Sequence, residues 1–131
     1  MNTVKVVVAV LQDVTLDWAV AKADGLRGEN GWSALEIFRA ARVSGSHRYS
    51  TDWAHAGPII AENRISILAR SINGESDWWA SADPYDGDNE DDRIGYEASD
   101  PLTAAMRCFV ASKLGDEVDI PAELVTAPAA A

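Results

Sequence analysis

Residues 49–60 read YSTDWAHAGPII, from Tyr49 to Ile60. Ser50, Thr51 and Asp52 are three helix-capping residue types in a row, each able to accept a bond from an orphan backbone N–H. Gly57-Pro58 interrupts regular structure, and Ile59-Ile60 returns to apolar character. The expected conformation is a capped single turn, a sharp bend at Gly57-Pro58, and entry into a strand. Trp53, His55 and the Asp52 carboxylate then lie near one backbone corner, where a polar ligand can be held. Read so, the stretch joins two helices that precede it to a hairpin that follows.

Upstream, Thr3 to Leu11 is rich in valine and reads as a strand buried on both faces. Thr15 is the expected N-cap of a short helix whose Leu16, Ala19, Val20 and Ala23 share a face, with Gly25 as its stop. Asp17 and Trp18 ride on this helix, and Trp18 is expected to anchor the core. Ser33 and Glu36 form a capping box that opens a second helix, with Leu35, Ile37, Phe38, Ala41 and Val43 on its apolar side. Arg39 and Arg42 are three apart and share a helix face. They form either a small anion site or an ordinary solvated surface. Ser44 to Arg48 is a flexible, mildly basic loop.

Downstream, Arg64 to Arg70 alternates as a strand does, with Ile65, Ile67 and Ala69 pointing one way. Asn73-Gly74 is a tight-turn signal and Trp78-Trp79-Ala80 begins the return, so residues 64–81 make a hairpin. The paired tryptophans must face opposite sides of their strand, and one of them needs cover from a helix, a partner or a ligand. Asp83 to Arg93, DPYDGDNEDDR, is a dense acidic loop. Its spacing fails the EF-hand pattern, because Asp91 stands where glycine is required and no closing glutamate follows. Asp100-Pro101 starts a helix that runs to Leu114, stopped by Gly115, with Leu102, Ala105, Met106, Phe109 and Val110 as its buried stripe. Glu117 to Pro121 adds a last short strand. The expectation is one α+β domain over residues 1–121, with a small, mainly antiparallel sheet and two or three packed helices, followed by a flexible Ala/Pro tail over residues 122–131.

Composition narrows the function. The chain has 131 residues, 47% of them hydrophobic, enough for one modest core. Its 21 acidic against 11 basic side chains give a formal charge of -10, which argues against passive binding to nucleic acid or anionic membrane. Cys108 is the single cysteine, so a reducing cytoplasm is the natural setting. The run VKVVVAVL is too short to span a membrane, and no targeting signal is visible. The sequence holds no nucleophile elbow, no P-loop and no dinucleotide fingerprint. His47 and His55, without a cysteine cluster, match no zinc spacing. Neither a catalytic set, a metal site nor a cofactor is expected.

Four blocks carry a resemblance: LDWAVAKADG at Leu16–Gly25, YSTDWAHAGPII at Tyr49–Ile60, WWAS at Trp78–Ser81, and PLTAAMRCFVASKLGDEVDIP at Pro101–Pro121. Together and in this order they resemble the NinX-type family of small tailed-phage and prophage proteins. Residues 26–48 and the acidic loop look like variable insertions. The resemblance implies a phage accessory protein acting in the host bacterial cytoplasm, from a family without an assigned activity.

In that setting the first expectation is a counter-defence protein that sequesters a small nucleotide-like signalling molecule. Trp53, Trp78 and Trp79 supply stacking surfaces. Ser50, Thr51, Asp52 and His55 supply the polar corner. Arg64 and Arg107, with Arg70, are charge partners for phosphate. The second expectation is a protein-blocking inhibitor whose acidic loop imitates nucleic acid before a host nuclease or defence effector. The third is a small ligand-modifying enzyme using Asp52 and His55. Five tryptophans are many for this size, consistent with an interface in a homo-oligomer.

Overall fold

A computed structural model describes residues 2–82 and 95–126. At its centre lies the helix begun by Asp100-Pro101. Asp100 Oδ1 accepts the Thr103 N–H at 2.9 Å and Oδ2 accepts the Thr103 hydroxyl at 2.7 Å, a cap that satisfies donors the first turn leaves orphaned. Gly115, at a φ of 92°, ends it. This helix, α4 (Pro101–Leu114), is buried on far more than one stripe: Leu102 through Met106 and Cys108 through Val110 are all inside. It touches helices on one side and a sheet on the other.

The other elements wrap it. They are β1 (Thr3–Val7), a 3-10 turn at Val8–Val10, α1 (Asp13–Ala23), α2 (Ala34–Val43), α3 (Trp53–Glu62), β2 (Ser66–Ile72), β3 (Glu75–Ser81), β4 (Gly95–Ala98), β5 (Glu117–Pro121) and α5 (Ala122–Thr126). The strands form two antiparallel sheets, one of β1 with β5 and one in the order β2-β3-β4. One continuous apolar cluster joins both sheets to the helices. The chain is a single α+β domain.

The hairpin forms as its turn chemistry dictates. Asn73 and Gly74 take φ of 54° and 83°, the left-handed pair that a two-residue turn between twisted strands requires. Across it Ile67 faces Ala80 and Leu68 faces Trp79. Trp78 packs on the core. Trp79 takes the outer face, where its cover comes from its own sheet. The Arg70 guanidinium lies 5.0 Å from its ring centre, and the ring occupies the space a Cβ would need at Gly95. Arg70 is held there by Asp77 at 2.7 Å and Glu97 at 2.7 Å.

Four expectations need correction. Gly57-Pro58 does not end a turn: α3 runs unbroken through Pro58 to Glu62, and no strand begins at Ile59. A proline inside a helix costs about 3 kcal/mol. Three local features reduce that cost. Gly57 lacks the Cβ that clashes with a following proline ring, Asp52 caps the helix by accepting the Ala54 N–H at 2.8 Å, and Ala54 and Pro58 both face solvent, so water reaches the carbonyl that loses its partner. Burial of Ala56 and Ile59, the latter worth about 1.5–3 kcal/mol, covers the rest. Secondly, the valine-rich start is a strand only to Val7, and it is largely exposed rather than buried on both faces. Thirdly, Gln12 rather than Thr15 precedes the first turn of α1, and Thr15 turns back to accept the Gln12 N–H at 3.4 Å. Fourthly, the expected tail starts late. Ala122–Thr126 is helical, with Leu124 buried, and Arg39 ties it to α2 through Glu123 at 3.0 Å. Residues 127–131 lie outside the described residues. β4 was not expected at all.

Candidate functional site

A buried carboxylate organises the face where α1, α2 and α3 meet. The middle of α1 is enclosed from Leu16 to Ala21, so Asp17 is inside as well, at 1% exposure. A carboxylate so placed must find donors. Arg42 of α2 pairs with its Oδ2, and the Ser50 N–H donates to its Oδ1 at 2.8 Å. Burial pushes the Asp17 carboxyl above its ordinary value, while Ser50 and Arg42 pull it back. Arg42 also donates to the His47 carbonyl at 3.1 Å, and Arg48 donates to the Arg42 carbonyl at 2.8 Å. One acid thus fixes the loop between α2 and α3, and holds His47 at a φ of 54°. A left-handed backbone is costly for a residue with a Cβ, and such positions gather at functional sites.

A file of rings runs outward from this frame. Trp18 meets Phe38 edge-on at 5.4 Å, Phe38 stacks on His47 at 6.0 Å, His47 lies 5.7 Å from Tyr49, and Tyr49 meets His55 at 6.3 Å. Burial, with Asp24 and Asp17 nearby, pushes the Tyr49 phenol up to about 12. Burial, then the electrostatic influence of the neighbouring His55, lowers His47. The phenol is therefore protonated and the imidazole neutral near pH 7. Tyr49 Oη and His47 Nδ1 share a hydrogen bond of 2.8 Å, whose direction follows the imidazole tautomer. His55 Nδ1 accepts the Arg48 N–H at 3.2 Å, which puts the His55 proton on Nε2.

These side chains open onto a pocket of about 270 Å³ lined by Asp24, His47, Tyr49, His55, Pro58 and Glu62. Pro58 and Glu62 reach it only because α3 continues past Gly57. Its polar lining is the His47 and His55 imidazoles, Ser46, and the exposed carboxylates of Asp24 and Glu62, backed by ring faces. A larger groove, about 380 Å³, lies between α1 and the β1–β5 pair. There Lys5 and Lys22 are balanced by Glu117 and Asp119, and Lys5 already pairs with Asp119 at 3.3 Å.

The structure divides the expected ligand residues. Ser50, Thr51, Asp52, Trp53 and His55 do share the corner at the start of α3. Ser50 is buried on Asp17, Thr51 is exposed, Asp52 is the cap, and Trp53 is 55% exposed. Trp78 and Trp79 belong to the hairpin. Arg107 on α4 spans to the Leu11 and Glu97 carbonyls, both at 2.8 Å. Arg64 follows α3, exposed, at a φ of 53°. Among the described residues, neither the Tyr49 pocket nor the α1 groove joins these two groups. The Arg39–Arg42 anion site does not form, because the two side chains turn to Glu123 and Asp17. Asp52 Oδ2 stands 3.9 Å from His55 Nδ1, an atom that already accepts a backbone N–H. It has no proton to give Asp52 and no free lone pair to act as a base, which removes the geometry of an acid–base dyad. Among the described residues no group of His, Cys, Asp and Glu could hold a metal ion. The acidic loop lies outside the described residues.

Sequence reading passed over Asp17, Asp24, Arg42, Tyr49 and Glu62 as parts of this site. Asp17 carried one signal: an acid flanked by Leu16 and Trp18 within an otherwise apolar turn. Among the described residues no helix is long and apolar enough to cross a membrane. No curated protein matches the chain. The family model described as Bacteriophage P22, NinX, matches residues 7–113, a span that holds α1, α2, α3, all of α4 but its last residue, and every residue of the Tyr49 pocket. The chain belongs to this NinX family of phage proteins.

Proposed function

We propose that this phage protein acts in the host bacterial cytoplasm as a counter-defence binding protein, sequestering a small nucleotide-like signalling molecule by its base in the Tyr49 pocket. The observation that supports the reading is the polar pattern of the pocket: two imidazoles, with the His55 proton on Nε2, beside the carboxylates of Asp24 and Glu62, against aromatic faces. A nucleobase presents ring nitrogens and carbonyl oxygens as acceptors and exocyclic amines as donors along one planar edge, and its faces stack on rings. At about 270 Å³ the pocket falls just under the ~300–1,000 Å³ usual for drug-sized ligands, so one ring system fits and the sugar and phosphate stay outside.

The grip on phosphate expected from the arginines is given up. Arg70 and Arg107 are engaged within the fold, and the two carboxylates at the pocket repel anions. Recognition through the base is compatible with a net charge of -10, whereas recognition through phosphate is opposed by it.

Native mass spectrometry on protein purified from bacteria with an active nucleotide-signalling defence tests this. The expected result is an extra mass of a few hundred daltons, released intact by denaturation and lost in His55→Gln and Glu62→Gln. A clean apo mass, together with His47 and His55 imidazole resonances that do not move when nucleosides are titrated in, overturns it. A pull-down for a basic host protein is then the next step, since the acidic residues 83–93 would carry the function instead.

A further inference from the structure

Among the described residues no further strand pairs with either edge of the β1–β5 sheet, and the two edges differ in chemistry. Val8 donates its N–H to the Asp116 carbonyl at 2.8 Å, and Ala122 donates to the Asn2 carbonyl at 2.9 Å. Both bonds continue the register in which Val4 faces Ile120 and Val6 faces Val118. Bonded and non-bonded pairs alternate along an antiparallel ladder. The even-numbered residues of β1 therefore turn their backbone groups toward β5, and Thr3, Lys5 and Val7 turn theirs outward. By the same alternation Glu117, Asp119 and Pro121 form the outer edge of β5. Pro121 opposite Thr3 has no N–H to lose there.

The β5 edge is thus guarded by a proline and two carboxylates, devices that resist strand addition. The β1 edge has neither. Residues 1–12 contain no Asp or Glu, in a chain whose net charge is -10. The same acid-free segment exposes Val4, Val7 and Val10 at 41%, 46% and 60%. A two-stranded sheet is marginal in water on its own, and this one offers an unblocked edge beside a row of valines.

We infer that β1 pairs antiparallel with β1 of a second copy, giving a four-stranded sheet in the order β5-β1-β1-β5 about a two-fold axis. The occupant is a second copy because a two-fold axis requires a self-complementary patch. Here valine meets valine, and the one charge, Lys5, is balanced by Asp119 at 3.3 Å. Two acidic molecules approaching through this segment bring no carboxylate of residues 1–12 against another. The inference is independent of the Tyr49 pocket, which lies on α1, α3 and the loop between α2 and α3.

Light scattering and sedimentation on the purified protein decide it, with Lys5→Pro as the variant. The Lys5 N–H points away from β5, so proline there leaves the β1–β5 bonds in place and blocks only the outer edge. The expected result is a molar mass of two chains for the wild type and of one chain for Lys5→Pro, with an unchanged circular dichroism spectrum. A single-chain mass for the wild type overturns the inference, as does a dimer that persists in folded Lys5→Pro. Should that variant fail to fold, amide exchange of the wild type answers the same question. The Thr3, Lys5 and Val7 N–H groups are expected to be as protected as those of Val4 and Val6, and fast exchange at the odd-numbered positions overturns the pairing.

Discussion

Asp17 shows how much one side chain can hold. It receives a guanidinium from α2 and an N–H from the loop before α3, and through Arg42 it reaches the His47 carbonyl. Asp17→Ala strands a partly buried cation and an unbonded amide. Breaking such a pair costs about 3–5 kcal/mol, a large share of the roughly 5–15 kcal/mol that holds a domain together. Urea unfolding of the variant should show that loss, and Asp17→Asn, which keeps an acceptor for Ser50, should lose less. His47 adds a pH signature. Its folded value lies below the ordinary 6.5, so between the two values the unfolded chain binds more protons than the folded one. Its contribution is complete above the ordinary value and is lost as pH falls through the lowered one. Denaturation of wild type and His47→Gln compared between about pH 7 and pH 5, the range in which histidines titrate, should show the steeper decline in the wild type. Parallel curves would refute this.

Among the elements, those with short-range causes were legible. The Ser33–Glu36 box, the Asp100-Pro101 start and the Asn73-Gly74 turn each act within four residues, and each formed as read. α3 was misread because its proline rule is local while its compensation comes from packing Ala56 and Ile59 inside. β4 was missed for a similar reason. Residues Gly95 to Ala98 carry no strand pattern of their own, and they are a strand because β3 lies beside them, with Trp79 opposite Glu97. Gly95 is required there by the Trp79 ring. Gly95→Ala drives its new methyl into that ring, and overpacking of this kind costs about 1–3 kcal/mol. The expected result is a lower melting temperature with red-shifted tryptophan emission. In a Trp79→Ala background the same substitution should be nearly silent, a coupling that a double-mutant cycle reads directly. Additive losses would show that the ring is not the obstacle.

At the scale of the molecule, the fold class was legible and the site only half so. Ser50, Asp52 and His55 are close in sequence and remain close in space. Asp17, Arg42 and Glu62 reach the same corner from three different helices, a convergence that no local pattern encodes. The same central packing sets the fate of Cys108. It lies mid-way along α4 with no exposure, and burial pushes its thiol up to about 12, so the thiolate that reacts with alkylating reagents is almost absent while α4 is in place. Capture of the sulfur then proceeds only through molecules in which the central helix has been released. A single native cysteine thereby makes the protein its own stopwatch: the speed of alkylation, followed by intact mass, reports how often the whole domain opens, with no label or engineered probe.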